Sequence, residues 1–361
     1  MSCDLPDPLI NDLFTADAPP EHATDAGEPA LRWGVLGPGW VAGIFVGAMR
    51  AHTRQVPVAV GSRSLARARS FADEHGIERA HGSYEQLLAD PGVDVVYIAT
   101  PQSEHLTQGL AAIAAGKHVV IEKPFTCTGD EARRLVEAAR SSGVFVAEAM
   151  WARYLPQATL IRRVLAEGAL GDLHSVVADH GQSIPFTPEH RLYQPELGGG
   201  ALLDLGIYPV QLVSQVFGRP SSITAVGRVA HGVDTAATVV LDHDTALAAS
   251  TVTTGITSPT PNRAAIIGTV ARLEFDGPFY NPTTLRVIAA EYGRGVLAEW
   301  SDTTGRPGMQ GLSWQQTAFA RFIGDGRTES PHHGLDETVA IIDTLDEARR
   351  QVLAAGKEND Q

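Results

Sequence analysis

The first part of the chain alternates short apolar runs with stretches of helical periodicity. The apolar runs of 31–152, each predicted to be a strand, are "LRWGVLG", "PVAVGS", "VDVVYIATP", "HVVIEKP" and "VFVAEAM". The amphipathic segments between them, most of which end at a glycine, are predicted to be helices. Near-continuous apolar strands alternating with helices indicate a parallel sheet covered on both faces. Right-handed crossovers then make it a doubly wound α/β sheet of the Rossmann type.

The pattern changes after "WARYLP". Pro156 begins a predicted helix that Gly168 ends, and short runs rich in threonine and valine follow Phe217. Strands that follow one another without intervening helices predict a large, mainly antiparallel open sheet, and two helical stretches close the chain. We therefore predict a Rossmann-type domain over 31–152, an α+β domain over 153–334, and a C-terminal helix over 335–361 that packs back on the Rossmann domain.

Charge narrows the range of partners. The 361 residues carry 28 Lys and Arg against 42 Asp and Glu, a net charge of −14, which argues against binding to nucleic acid or to an anionic membrane. Part of the excess lies in 1–30, which has no Lys or Arg, and we predict a mobile acidic arm there rather than a secretory signal. No segment approaches the ~18 consecutive apolar residues of a membrane span.

Cysteine and histidine spacing gives no sign of a metal centre. Cys3 and Cys127 are the only cysteines, so neither a disulfide framework nor a paired-cysteine metal site follows, and we expect a cytoplasmic location. His332 and His333 superficially resemble a metal pair, but the sequence shows no acidic or helically spaced partners for them. We therefore predict no metal.

A phosphate-binding turn is predicted at "GPGWVA", where the first strand meets the first helix. Gly37 allows a tight turn, Gly39 lets the backbone approach a pyrophosphate, and Ala42 is small enough for close packing of helix and strand. Trp40 and Val41 lie inside the turn and are included among the cofactor-binding candidates. The helix N-terminus adds free amide groups and a partial positive charge, so the turn predicts a dinucleotide site.

The end of the second strand indicates which dinucleotide is bound. NAD-binding domains usually place an acid here to hold the ribose hydroxyl groups, whereas this chain has Ser62 and Arg63 and no acid before Asp73. A hydroxyl and a guanidinium suit a 2′-phosphate, so we predict that NADP(H) is preferred over NAD(H). The alternative is that Arg63 is an ordinary solvated cation of a loop.

Two further strands end in residues suited to a ligand. The stretch "VVIEKPF" runs from buried-looking valines directly into Glu122, Lys123 and Pro124, and the preceding strand ends at Thr100 and Pro101. Ligands of open parallel sheets bind beyond the carboxyl ends of the strands, so all five residues are cofactor-binding candidates. The alternative for Glu122 and Lys123 is a structural ion pair, because charges are costly to bury unless they are paired or used.

The order of "GPGWVA", "ATP" and "EKP", followed by an α+β domain, resembles the glucose–fructose oxidoreductase/inositol dehydrogenase/MocA family. "EAMWARYLP", "GGGALLDLGIYP" and "RTESPHHGLDET" more narrowly resemble its branch of dimeric dihydrodiol dehydrogenases, NADP-dependent xylose dehydrogenases and glucose–fructose oxidoreductase. The resemblance covers nearly the whole chain after the arm. It implies that Lys123 contacts both nicotinamide and substrate, and that the open sheet supports a homo-oligomer, either a dimer or a tetramer.

Asp204 and Tyr208 are the catalytic candidates of the second domain, beside Lys123 in the first. Their spacing of four places both on one face of a helix, although Pro209 can kink it. A free tyrosine has a pKa of about 10, so a nearby ammonium such as Lys123 and the oxidised nicotinamide are needed to favour the phenolate as base. Asp204 would orient the substrate or Lys123. The alternatives are a packed aromatic ring for Tyr208 and a helix-start acid for Asp204.

The remaining candidates depend on position alone. His105, Trp151 and Arg153 are assigned to the cofactor, with domain-junction packing as an equal alternative for the last two. His180, Arg191 and Tyr193 are assigned to the substrate.

The predicted function is hydride transfer between a nicotinamide and a carbinol or carbonyl carbon of a sugar, cyclic polyol or dihydrodiol. Alternatives on the same fold are a redox-assisted glycosidase, another enzyme that keeps its cofactor tightly bound, or a non-catalytic NADP-sensing regulator.

Overall fold

The structure is a computed structural model that describes Ile10, 12–14 and 27–359. Most of the predicted acidic arm, 1–30, therefore lies outside the described residues. Within it, the side chains of Ile10 and Phe14 are buried.

A six-stranded parallel sheet forms the first unit and confirms the predicted Rossmann-type fold. Its strands, β1 to β6, are Arg32–Leu36, Val56–Gly61, Arg79–His81, Val95–Ile98, His118–Ile121 and Val146–Glu148. Their order is β3-β2-β1-β4-β5-β6, so the direction of winding reverses between β1 and β4. This reversal point is where doubly wound sheets bind ligands. The pattern had predicted every strand except β3.

Helices α1 to α5 connect these strands. They are Trp40–His52, Leu65–His75, Tyr84–Leu88, His105–Ala114 and Gly129–Ser142. Local capping explains several of the boundaries: the Ser64 and Thr128 side chains accept amide hydrogen bonds at the starts of α2 and α5, and the left-handed residues Gly76 and Gly143 end these two helices. The short helix α3 was not predicted.

An eight-stranded sheet forms the second unit and confirms the prediction of a large, mainly antiparallel sheet. Its strands, β7 to β14, are Leu173–Gly181, Ser222–Ala230, Val233–Asp242, Ser250–Gly255, Ala264–Gly268, Ala271–Phe275, Thr284–Ala289 and Val296–Ser301. The order is β14-β13-β12-β11-β7-β10-β9-β8, and only β7 with β10 is a parallel pair within this sheet. Strand β7, near the middle of the sheet, was not predicted.

The later helices divide between the units in a way the predicted boundaries did not anticipate. Helices α6 to α9 are Pro156–Ala166, Ile207–Phe217, Leu312–Gly324 and Leu335–Asn359. Residues 306–342 group with the parallel-sheet unit, and 343–359 group with the antiparallel-sheet unit, together with 155–305.

Specific hydrogen bonds explain this division of the C-terminal helices. The Gln316 side chain of α8 donates to the Phe45 carbonyl of α1 at 2.8 Å, within the first unit. In the second unit, Gln351 of α9 accepts from the Ala225 amide at 2.8 Å and donates to the Ile223 carbonyl at 3.0 Å on edge strand β8. Only the first part of the C-terminal helix, up to residue 342, therefore belongs to the Rossmann-type unit, and the rest belongs to the unit of the antiparallel sheet.

One helical stretch, Pro195–Phe217, has the length and mean hydropathy (1.2) of a membrane span. In the structure 83% of its apolar window is buried inside the fold, and a core helix of a soluble protein passes the same test. The count of consecutive apolar residues missed this stretch because Asp204 and Gln211 interrupt it.

Candidate active site

The phosphate-binding turn joins β1 to α1. Gly37 has a left-handed backbone (φ +89°), and a Cβ there would lie 2.8 Å from Thr100 Cγ2 and 2.9 Å from the Ala99 carbonyl oxygen, so the position requires glycine. A Cβ on Gly39 would have no neighbour within 4 Å. The first turn of α1 has neither a side-chain cap nor an acidic residue, which leaves its amides and the positive end of its dipole to an anion. This cradle fits the pyrophosphate of a dinucleotide.

The residues that follow the turn differ in exposure. Trp40 is 75% exposed, Val41 is half-buried and Ala42 is fully buried, as its predicted packing role requires. Tryptophan side chains are highly buried on average, so an indole this exposed is unusual. Its position at the phosphate-binding turn makes it available to a bound ligand.

The end of β2 carries the residues predicted for a 2′-phosphate. Ser62 is buried and its Oγ accepts the Ser64 amide at 3.3 Å, whereas Arg63 is exposed. Burial raises the pKa of Tyr84, and the charge of the nearby Arg63 guanidinium opposes the rise. Arg63 therefore has a defined neighbour on α3, which the sequence pattern had not indicated.

His105 links the carboxyl ends of two neighbouring strands. Its ring nitrogens lie 2.9 Å from the Pro124 carbonyl oxygen and 3.0 Å from the Thr100 carbonyl oxygen. Burial lowers the pKa of this imidazole in spite of both carbonyl groups. The Thr100 hydroxyl donates to Gln108 at 2.8 Å, and Pro101 precedes the short turn that leads to α4. A direct contact of these residues with cofactor stays a prediction.

The charged end of β5 has partners that account for its burial. The Tyr97 hydroxyl donates to Glu122 Oε1, and the Lys123 amide donates to Glu122 Oε2 at 3.2 Å. Burial raises the pKa of Glu122, while the Tyr97 hydrogen bond and the Lys123 charge act in the opposite direction. Lys123 is half-buried and Glu122 buried, so the ammonium is the more accessible charge of the two.

Trp151 and Arg153 are both buried within the first unit. The Arg153 guanidinium forms an ion pair with Glu337 at the start of α9, so its position fits the packing alternative.

The expectation that His332 and His333 lack acidic partners is wrong. His333 Nε2 lies 2.8 Å from Glu148 Oε2, and Nδ1 lies 3.7 Å from Oε2 of Glu337, one helical turn further on. Among the residues that the structure describes, no group of three or more His, Cys, Asp or Glu side chains could hold a metal ion.

The helix that bears Asp204 and Tyr208 begins irregularly. Leu202–Gly206 forms a π-helical turn that continues into α7, with Pro209 in the first turn of the α-helix. Because proline has no amide hydrogen, the regular hydrogen-bond ladder cannot be continuous here, and a wider turn relieves the mismatch. The distortion predicted at Pro209 therefore takes the form of a π turn.

A buried carboxyl group marks the start of this helix. Asp234 Oδ2 accepts the Leu202 amide at 2.7 Å, and any side chain on Gly200 (φ +125°) would collide with the Asp234 carboxylate. Burial raises the pKa of Asp234 to about 6, although the Leu202 amide and the charge of Arg349 oppose this. The absence of a side chain at Gly200 thus lets the backbone lie close to a buried carboxyl group.

Tyr208 lies in a cluster of three aromatic rings. Its ring stacks on Tyr280 with centroids 4.5 Å apart and meets His180 edge-on at 5.4 Å. His180 Nδ1 lies 3.1 Å from the Leu205 carbonyl oxygen, and Nε2 lies 3.1 Å from the Gln182 amide nitrogen. These contacts fit a neutral imidazole protonated on Nδ1. His180 thus supports the Tyr208 ring from one side.

The other predicted substrate residues divide between two roles. The Arg191 guanidinium, whose side chain is 50% exposed, lies 2.9 Å from Asp204 Oδ1. The Tyr193 hydroxyl donates to the Ile184 carbonyl at 2.7 Å, and its ring belongs to a buried apolar cluster. The structure therefore brings Asp204 and Arg191 together and uses Tyr193 in the core.

The pattern analysis missed Tyr97, Gln182 and Tyr280. Tyr97 lies within "VDVVYIATP", where a tyrosine looks like one more apolar residue of a buried strand. The parallel register pairs Tyr97 with Val120, two residues before Glu122, so aligning the strand ends would have indicated this contact. Gln182 follows the unpredicted strand β7, and no sequence signal indicated Tyr280.

Comparison with known proteins places the chain among oxidoreductases. The family profile described as "Oxidoreductase family, NAD-binding Rossmann fold" matches residues 31–150, and that of the GFO/IDH/MocA C-terminal domain matches residues 159–274. The chain belongs to the Gfo/Idh/MocA oxidoreductase family. The resemblance found in its motifs is thereby confirmed, together with its nicotinamide-dinucleotide-binding fold.

Several curated members of the Gfo/Idh/MocA family are similar over most of the chain. Trans-1,2-dihydrobenzene-1,2-diol dehydrogenase from Oryctolagus cuniculus is 39% identical over 88% of this chain and 97% of its own. The enzymes of the same name from Bos taurus and Homo sapiens are 38% and 37% identical, each over 90% of this chain and 97% of its own.

Solved structures of the Gfo/Idh/MocA fold are also similar. KijD10, a 3-ketoreductase from Actinomadura kijaniata in complex with NADP and TDP-benzene, superposes with a TM-score of 0.78 at 26% identity over 90% of this chain and 98% of its own. Levoglucosan dehydrogenase in complex with NADH and levoglucosan has a TM-score of 0.80 at 20% identity over 91% of this chain and 98% of its own. At that identity the likeness concerns the fold alone.

Proposed function

We propose that this protein is an NADP-dependent dehydrogenase that oxidises a carbinol group of a cyclic vicinal diol or a sugar-like polyol. The observation that carries the proposal is the half-buried Lys123 beside the buried Glu122 at the carboxyl end of β5, in a domain whose first turn fits a dinucleotide. The curated relatives, named as dehydrogenases of trans-1,2-dihydrobenzene-1,2-diol, support the diol class of substrate.

The proposed chemistry divides between Lys123 and Tyr208. A bound nicotinamide supplies the acceptor for the hydride that leaves the carbinol carbon. The Lys123 ammonium hydrogen-bonds the substrate oxygen and stabilises the negative charge that develops on it. Tyr208, as phenolate, takes the hydroxyl proton as general base. Asp204, held by Arg191, orients the substrate.

The preference for NADP rests on the end of β2. Ser62 and Arg63 replace the acid that would repel a 2′-phosphate, and a guanidinium forms strong charge-assisted hydrogen bonds to phosphate. The KijD10 complex, which contains NADP, supports this choice. The levoglucosan dehydrogenase complex contains NADH, so the fold by itself does not favour either cofactor.

The surroundings of Tyr208 support a cyclic, hydroxylated substrate. Tyr280 is half-buried and stacked on Tyr208, and an aromatic ring of this kind suits the apolar face of a cyclic diol. The exposed Gln182 and the half-exposed Arg191 offer donors to hydroxyl groups.

We also propose that one face of the antiparallel sheet forms a homo-oligomer interface. Three exposed valines lie on the same face of the sheet: Val177, Val226 and Val240. Val177 and Val240 both pair with Thr251, one from each side. Val226 pairs with Thr238, which is on the same face as Val240 because the two are two residues apart in one strand. Exposed valines in adjacent strands suit contact with a second copy. A monomeric mass by light scattering at micromolar concentration would contradict this proposal.

The decisive experiment is a cofactor-linked activity screen. The purified protein is incubated with NADP+ and, separately, with trans-dihydrodiols, inositols and aldoses, and NADPH formation is followed by absorbance. We expect NADPH to accumulate with a dihydrodiol or a related cyclic diol. Cofactor that co-purifies without net NADPH release would favour the tight-cofactor alternative. Binding of NADP without turnover of any substrate would favour the regulator.

A further inference from the structure

A buried series of polar groups leads from the segment that contains Lys123 to the start of α9. The Phe125 amide, two residues after Lys123, donates to Glu148 Oε1 at 2.7 Å. The other oxygen of this carboxylate, Glu148 Oε2, lies 2.8 Å from His333 Nε2. The Phe125, Glu148 and His333 side chains are all buried. Both oxygens of Glu148 are therefore used inside the fold.

Two further charged residues, Glu337 and Arg153, continue this series beyond His333. His333 Nδ1 lies 3.7 Å from Glu337, which in turn pairs with Arg153. Burial alone would lower the pKa of His333, but its hydrogen bond to Glu148 and the nearby Glu337 carboxylate raise it above its usual range. Burial would raise the pKa of Glu337, but His333 and Arg153 outweigh this and bring it to about 2. Two anions and two cations alternate, so the network carries no net charge, which lowers the cost of burying it.

We infer that Glu148 and His333 are positioning residues for Lys123. The inference rests on the proposed function, because it assumes that the Lys123 ammonium acts on the substrate. A hydrogen bond to an ionised acceptor is about twice as strong as one to a neutral group, so a carboxylate holds the Phe125 amide firmly. His333 keeps this carboxylate paired and fixes its second oxygen.

The backbone on the other side of Lys123 is held as well. The Lys123 amide donates to Glu122, which also accepts the Tyr97 hydroxyl. The Pro124 carbonyl oxygen lies 2.9 Å from a ring nitrogen of His105. Lys123 is thus the half-buried residue of a segment anchored on both sides, which is what a group that must reach a reacting atom requires.

The test compares His333→Gln with the matched control His332→Gln. The His332 ring is adjacent in sequence but packs against Phe322 and Tyr154, with centroids 5.5 and 6.3 Å away. Three quantities are measured on the full chain: hydrogen exchange of the amides within 123–126 (those of Lys123, Phe125 and Thr126), the Kd for NADP, and kcat and KM with the diol identified in the activity screen.

For His333→Gln we expect exchange at 123–126 to accelerate at least about tenfold and kcat to fall by about 10- to 100-fold, with the Kd for NADP within about threefold of the wild-type value. His332→Gln should change each quantity by less than about twofold. A loss of affinity for NADP with unchanged kcat, or faster exchange with unchanged kcat, would overturn the inference, because a purely structural link between α9 and β6 predicts no selective loss of kcat.

A second variant covers the case in which His333→Gln does not fold. The double variant Glu148→Gln with His333→Gln removes one charge of each sign, so the buried network stays neutral, and it offers Phe125 only a neutral acceptor. The same direction of change is expected, and exchange equal to that of the wild type would reject the inference. If the wild-type protein oxidises no substrate, the proposed function fails, whereas the exchange rates still decide whether Glu148 and His333 hold the Lys123 segment.

Discussion

Replacing Asp234 with asparagine tests how the fold tolerates a carboxyl group at the start of the helix that carries Tyr208. The Asp234 side chain is fully buried, with Oδ2 accepting the Leu202 amide at 2.7 Å and Oδ1 3.8 Å from Arg349 Nε. Asparagine has nearly the same volume and keeps an oxygen for Leu202, but it cannot ionise. It therefore mimics the protonated form of the native side chain at every pH.

The magnitude follows from the pKa of Asp234, which burial raises from 3.8 to about 6. The native state binds this proton more tightly than the unfolded chain does, so the free energy of unfolding decreases as pH rises through this range and levels off above it. At about 1.36 kcal/mol per pKa unit, the ionised carboxylate costs the native state about 3 kcal/mol. About 2 kcal/mol of this cost develops between about pH 4.5 and pH 7.5.

The assay is urea unfolding of both proteins, followed by circular dichroism at several pH values. We compare the free energy of unfolding of Asp234→Asn with that of the wild type at each pH. The variant's value minus the wild-type value should be larger by about 2 kcal/mol at about pH 7.5 than at about pH 4.5, whatever its sign at either pH. The control Asp172→Asn removes an exposed carboxylate instead, and its pH dependence should follow that of the wild type. Parallel pH dependences for Asp234→Asn and the wild type would refute the reasoning.

Further predictions concern the proposed chemistry. Lys123→Met should lower kcat by about 10²- to 10⁴-fold with an unchanged circular dichroism spectrum, since it removes a proton-bearing group; full turnover would reject its role. Arg63→Ala should raise the Kd for NADP by about tenfold or more by calorimetry and leave NAD nearly unaffected, because only NADP offers a 2′-phosphate; equal losses would contradict this. Tyr208→Phe should abolish the pH dependence that the base gives to kcat, so a wild-type pH–rate profile would indicate another base. Gly37→Ala should abolish binding of either dinucleotide, because a Cβ would press against Thr100 and Ala99; measurable affinity for NADP would argue against a tight cradle.

The parallel sheet could be predicted because its strands are buried on both faces and therefore appear as unbroken apolar runs. Strand β3 has only the half-buried residues of Arg79–His81, so no such run marks it. Strand β7, Leu173–Gly181, contains two histidines, a serine and an aspartate. The Asp179 carboxylate accepts the Asn262 and Arg263 amides, and His180 contacts the Leu205 carbonyl. Because these partners are distant in the sequence, a local pattern does not indicate them.

The candidate site, like the fold, could be predicted from the sequence only in part. Glu122 and Lys123 could be found because charges at the end of an apolar strand are conspicuous in a sequence. The partners that satisfy buried charges could not be found, because Glu148 and His333 are separated by 185 positions and are brought together only by tertiary structure. Arg153 illustrates the same limit, since its position suggested a ligand but its guanidinium is paired with Glu337.

The central place of β7 in the antiparallel sheet has a consequence for biosynthesis. Its two neighbours, β10 and β11, begin at Ser250 and Ala264, so β7 leaves the ribosome about 70 residues ahead of β10, the earlier of the two. At about 5 to 20 residues per second, that delay is roughly 3 to 14 seconds, during which both hydrogen-bonding edges of the nascent strand lack their final neighbours. The histidines and the aspartate that interrupt the apolar pattern of this strand also make it a poor template for aggregation until its neighbours are synthesised.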